Sequence, residues 1–258
     1  VYLSFTNWNM GALAPKWLGL KNYIDVLTDS QFWSDTGHTL YLAFGSVAIE
    51  LVLGTGIAIV LNRPFAGKNF IKTLFLLPMV ATPIAVGMVW QLIYEPTLGV
   101  ANYLLKFLGI EPVMWLIDTN MVMKSMIIIE VWEWTPMVML IVLAGLAGMP
   151  QDVFEAAKVD GANRFQIFRR VTLPLLAPTL IVTALMRIID ALKTFDIIYA
   201  TTQGGPLKAS ETVNLLAYKS IFSYFKMGRG AALIICFLAE IGLCCALVMI
   251  LRRNAKRR

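Results

Sequence analysis

Eight ionisable side chains stand inside stretches otherwise too apolar for water: Glu50, Glu130, Glu133, Arg187, Asp190, Lys193, Asp196 and Glu240. Near the centre of a bilayer each would cost roughly 2.5–3.5 kcal/mol. Four left unpaired would cost about 10–14 kcal/mol, comparable to the stability of a whole domain. They must therefore face protein partners or a watery cavity. Helical spacing sorts several of them into two stripes. Arg187, Asp190 and Thr194 fall at i, i+3 and i+7, and Glu130, Glu133, Trp134 and Met137 form the other. A guanidinium and a carboxylate one turn apart can hydrogen-bond hydroxyls bidentately, or Arg187 can hold an anionic group. Equally open is an internal Arg187–Asp190–Lys193 network that only fixes helix packing. Glu50 and Glu240, near the middles of their apolar stretches, have no partner visible in the sequence.

Covalent chemistry finds little support. No G-x-x-x-x-G-K-[ST] cradle for phosphates occurs, and Gly67-Lys68 lacks both the earlier glycine and the following Ser/Thr. His38 is the single histidine, which excludes histidine-based zinc sites; it reads as an interfacial side chain. There is no G-x-S-x-G elbow. Cys236, Cys244 and Cys245 share one apolar stretch without CxxC spacing and read as small fillers. The expectation is a protein with no catalytic residue, no metal site and no cofactor of its own.

The elements that carry these side chains must be membrane helices. Of 258 residues 58% are hydrophobic and 15% charged, against about 45–50% and about 25% in soluble domains. Crossing roughly 30 Å of hydrocarbon takes about 20 apolar residues. Five stretches qualify: Thr36–Leu61, Phe70–Tyr94, Met121–Leu146, Leu173–Thr201 and Gly230–Leu251. The predicted fold is an all-α polytopic transmembrane bundle, one domain over 1–258. Pro78, Pro83 and Pro136 interrupt these helices as kinks or hinges. With the C-terminus in the cytoplasm, the inner segments hold twelve basic residues against three acidic ones. Arg63, Lys68, Lys72, Lys158, Arg164, Arg169, Arg170 and the tail from Arg252 to Arg258 make up the basic set. The outer segments hold eight basic residues against seven acidic ones, so the tail is expected inside. The net charge of +6 thus answers to a lipid surface and not to nucleic acid. Residues 1–35 form an outer segment with Trp8, Trp17, Tyr23 and Trp33 at the interface, and an outer start without a signal calls for a further span upstream.

The inner loop 150–174, between the third and fourth spans, reads as two short helices about a break. Asp152 with Glu155 looks like a capping box, and Asn163 with Gln166 repeats it more weakly. Gly161 supplies the junction, and Pro174 fits the start of the next helix. Phe165, Phe168 and Val171 share a face, an amphipathic knuckle suited to a groove on a soluble partner. Glu155-Ala156-Ala157, Asp160-Gly161-Ala162 and Thr172-Leu173-Pro174 resemble the "EAA" loop of binding-protein-dependent ABC importer permeases. Pro15–Tyr23, Trp132–Leu146, Phe195-Asp196 and Gln203-Gly204-Gly205-Pro206 are similar to sugar-importer permeases of the MalF type.

The resemblance implies a type I ABC importer permease fold in a bacterial inner membrane, lacking only the family's first helix. It implies a second permease subunit, two copies of a cytoplasmic ATPase that bind the ATP and Mg, and an extracytoplasmic binding protein that delivers a sugar. Glu155, Ala156, Ala157, Asp160, Gly161, Phe165, Leu173 and Pro174 would couple to the ATPase, with Glu155 facing a basic residue there and Gly161 allowing the bend. Plain helix capping by Glu155, worth about 1 kcal/mol, is the simpler role and compatible with it. The stripes bearing Glu130, Glu133, Trp134, Arg187, Asp190 and Thr194 occupy the stretches that line the sugar site in such permeases, where Trp134 could stack on a sugar's apolar face. The family member compared carries mostly uncharged polar and aromatic residues on those stripes, and this chain departs from it there. The competing expectation is a stand-alone transporter driven by an ion gradient, its intramembrane acids serving as proton or cation sites.

Overall fold

The computed structural model describes residues 1–9 and 14–255, with side chains through Met249. Twelve α-helices follow in order among the described residues: α1 Lys21–Leu27, α2 Ser30–Leu61, α3 Lys68–Val80, α4 Pro83–Ile93, α5 Val100–Phe107, α6 Val122–Ala147, α7 Gln151–Val159, α8 Arg164–Ile167, α9 Leu173–Leu192, α10 Asp196–Thr201, α11 Val213–Tyr218 and α12 Met227–Ala255. Single π turns, Phe168–Thr172 and Lys219–Ser223, join α8 to α9 and follow α11. No strand forms among the described residues beyond one isolated bridge, Thr6 to Trp17.

The spans Ser30–Leu61, Val122–Ala147, Arg164–Thr201 and Met227–Met249 are each long and apolar enough to cross a bilayer. A fifth exists only as a bent pair, α3 and α4. The reason is local. Pro78 lies inside α3, Ala81 and Thr82 turn extended, and Pro83 opens α4 at the position where its missing N–H costs nothing. Of the basic tail, Lys256, Arg257 and Arg258 lie outside the described residues.

The described chain divides into two compact units. One comprises residues 46–81 and 130–188, that is, the C-terminal half of α2, α3, most of α6, α7, α8 and most of α9. Its core is Ala58, Leu61, Val138, Met139, Val142, Leu146, Met149 and Leu176. Small residues set the helix spacing here, as is usual where lipid removes the hydrophobic drive between helices. A Cβ on Gly54 would lie 2.7 Å from Val138 Cγ1 and 3.0 Å from the Met139 backbone N, so α2 meets α6 backbone to backbone. Gly145 admits Thr179 of α9 in the same way, at 3.0 Å.

The other unit comprises residues 1–45, 82–129 and 189–258. Val26, Phe32, Val213, Leu216, Ala217, Ala232, Leu233 and Phe237 form its core. Asn22 of α1 donates to the carbonyls of Ser4 and Thr6, both at 2.8 Å, which ties the N-terminal segment to the helices. In α4, Gly87 faces Ala200 of α10, and Gln91 Nε2 donates to the Thr201 carbonyl at 2.6 Å.

Candidate functional site

Arg187 of α9 is fully buried, and three helices of the first unit converge on it. Its Nε donates to Glu50 Oε2 of α2 at 2.7 Å, and its Nη2 to Glu50 Oε1 at 3.2 Å. The same Nη2 donates to Glu130 Oε1 of α6 at 3.0 Å. The guanidinium carbon sits 4.7 Å from the ring centroid of Trp134, one helical turn on from Glu130. The fork geometry of arginine matches the Glu50 carboxylate, and the indole face stabilises the cation where water is excluded. One guanidinium thus serves two carboxylates whose side chains are 0% and 2% exposed.

The other stripe residues divide differently. Glu133 is buried, as Glu130 is. Asp190 pairs with Lys193 at 3.1 Å, both side chains about half exposed. Arg187 therefore takes its carboxylates from α2 and α6, whereas Asp190 takes the lysine, and the three do not form one network. Thr194 leaves the predicted stripe. The end of α9 tightens, with Lys193 and Thr194 N–H groups bonding three residues back to Asp190 and Ala191, which rotates Thr194 off the helical face. Asn214 then donates to the freed Lys193 carbonyl at 2.9 Å. Glu240 accepts from Thr36 Oγ1 at 2.9 Å, and His38 Nδ1 lies 3.0 Å from the Glu211 carbonyl.

The loop 150–174 is built from the same physics on a smaller scale. The N-cap of α7 is Pro150 and carries no side-chain cap. The Asp152–Glu155 capping box expected from the sequence does not form, because the helix starts at Gln151 and leaves Asp152 in its first turn, where its charge still suits the helix dipole. At the far end Gly161 adopts φ 77°. Its N–H bonds the Lys158 carbonyl and that of Ala162 the Ala157 carbonyl, both at 3.0 Å. These two bonds make a Schellman cap, which selects glycine at this position. Asn163 and Gln166 then form a complete capping box at 2.9 and 2.8 Å. Pro174 is the second residue of α9, at the helix start where the sequence expects it. The helical path runs from Arg164 through the π turn into α9, and the widened turn accommodates the proline whose ring would clash one turn back. Glu155, Ala156, Asp160, Gly161, Phe165, Leu173 and Pro174 are exposed, Ala157 half-buried.

Taken together, the described residues form a polytopic helical bundle with an ion cluster buried between spans and a capped, exposed knuckle between the third and fourth. Residues 50–258 match the family described as "Binding-protein-dependent transport system inner membrane component", and the chain belongs to that family. It is 43% identical over 234 residues to the probable ABC transporter permease protein y4oQ of Sinorhizobium fredii, covering 90% of this chain and 75% of that one. It is 41% identical over 211 residues to the trehalose/maltose transport system permease protein MalF of Thermococcus litoralis, covering 82% and 70%. A solved bacterial ABC transporter involved in the import of the acidic polysaccharide alginate contains a chain of the same fold, with TM-score 0.82 and 21% identity over 93% of this chain and 84% of that one. The fold is that of type I ABC importer permeases, and the protein is a multi-pass membrane transport subunit. The gradient-driven alternative falls away with this assignment.

Proposed function

We propose that the chain is one half of the pathway of an ATP-driven sugar importer, and that the knuckle 150–174 is where a separate ATPase pushes on it. The observation that carries the proposal is the build of the knuckle. An exposed short helix bearing Glu155 ends in a glycine-dependent cap and is followed at once by a fully capped second helix that runs into a membrane span. Such a segment is rigid on both sides of one defined corner, so a force on α7 is transmitted to α9 and not absorbed by a floppy loop. The sugar class is drawn from the names of relatives, which include transport permeases for trehalose/maltose and trehalose.

In this reading the knuckle and C-terminus face the cytoplasm. A second permease subunit completes the pathway, two ATPase copies bind ATP and Mg, and an extracytoplasmic binding protein supplies the solute. Within the unit of 46–81 and 130–188, Glu133 and Trp134 contact the solute, while Arg187 with Glu130 holds the wall in place. A photo-crosslinker at position 165 in the assembled transporter tests the docking. The expected product is a covalent adduct with the ATPase subunit; adducts with the binding protein alone would refute it.

A further inference from the structure

Two grooves of the 46–81 and 130–188 unit meet beside the knuckle. The first, about 770 Å³, is lined among others by Arg63, Lys158, Arg164, Asn62 and Gln151, with no carboxylate on its wall. The second, about 340 Å³, is lined by Leu51, Val52, Thr55, Gly56, Phe168 and their neighbours Ile59, Leu173 and Leu180. Ile59 and Phe168 line both, so the cationic groove adjoins the apolar one. From Leu51 to Ile59 the apolar furrow follows α2 for about 12 Å, close to the roughly 15 Å depth of one hydrocarbon leaflet. Gly56 lies in that furrow with nothing within 4 Å of where a Cβ would stand.

A cationic mouth at the end of a span, beside an apolar furrow close to one leaflet in depth, matches one ligand shape. We propose that this is a binding site for an anionic phospholipid of the inner leaflet, its phosphate held by Arg63, Lys158 and Arg164 and an acyl chain lying along Leu51 to Ile59. Arginine forks and a lysine ammonium both suit phosphate oxygens, and basic pockets on the inner side of helical membrane proteins take anionic headgroups. The proposal rests on the inward orientation given above. A lipid there would wedge between the end of α2 and the π turn that begins the span of α9, next to the coupling element.

The test is native mass spectrometry of the assembled transporter released from nanodiscs of phosphatidylglycerol or of phosphatidylcholine. Phosphatidylglycerol should be retained and phosphatidylcholine lost. Each of Arg63→Gln, Lys158→Gln and Arg164→Gln should lower retention about fivefold. Gly56→Leu, which fills the furrow while leaving every charge in place, should lower it independently. Equal retention of the two lipids overturns the proposal. So does displacement of the lipid by inorganic phosphate with no effect of Gly56→Leu, which would mark a site for free anions. Phe165, assigned above to the ATPase, also lines this groove, so the arm that decides is position 63: crosslinks from it into the ATPase would overturn the proposal by giving the cationic end of the groove to a protein. Impermeant labelling of a cysteine at position 158 from the outer face would instead break the orientation, a separate failure.

Discussion

Replacing Arg187 with methionine removes the one cation that two buried carboxylates share. The Glu50 and Glu130 side chains, 0% and 2% exposed, would stay in the interior without the guanidinium at 2.7 and 3.0 Å. Breaking a buried pair by removing one partner costs about 3–5 kcal/mol. For a chain of this size each kcal/mol moves the midpoint by about 2–4 °C, so Arg187→Met should unfold roughly 6–20 °C early. Adding Glu50→Gln removes one stranded charge and should recover part of the loss. Adding Glu130→Gln as well leaves a neutral cluster of similar volume, which should return close to the wild-type midpoint, since apolar or neutral replacement of a buried ion set is often nearly free. The assay is thermal unfolding of the four proteins in one detergent, read by intrinsic tryptophan fluorescence. An Arg187→Met midpoint equal to wild type, or a triple variant no better than the single one, would refute the electrostatic reasoning.

Three further outcomes follow from close packing and from the solute wall. Gly54→Leu forces a side chain to within 2.7 Å of Val138 and against the Met139 backbone, and should destabilise by about 1–3 kcal/mol. Gly56→Leu, two residues on and open, should leave the unfolding midpoint unchanged or slightly raised, since glycine weakens a helix by roughly 0.5–1 kcal/mol. Trp134→Ala should lower uptake while ATPase assembly, followed by co-purification, stays at the wild-type level; uptake at the wild-type rate would remove it from the pathway.

What the sequence discloses about this protein follows the range of the forces involved. Spans are legible because an apolar run of 20 residues has few other fates, and all five candidate regions hold helices. The break between α3 and α4 was marked by Pro78 and Pro83, but hydropathy alone runs straight through Ala81 and Thr82. Caps are legible only when the helix start is known. Asn163–Gln166 forms as its residue types suggest, whereas Pro150 pre-empts Asp152 by starting α7 two residues earlier. Arg187 shows the limit most plainly. Helical spacing offers it Asp190, three residues away on the same helix, whereas its carboxylates lie 137 and 57 residues distant. A buried arginine announces that it needs acids, and the otherwise unexplained Glu50 was the available signal. Only the packing of α2 and α6 against α9 says which acids those are.

The central claim, that ATPase force enters through the corner at Gly161, is tested most directly by Gly161→Pro. Proline can neither adopt φ 77° nor supply the N–H that bonds the Lys158 carbonyl, so it removes the corner while leaving the membrane spans intact. The measurement is ATP hydrolysed per solute imported in proteoliposomes with the binding protein present. The account predicts an assembled complex that hydrolyses ATP while importing at least tenfold less solute per ATP. A wild-type ratio in a complex that assembles normally would contradict it.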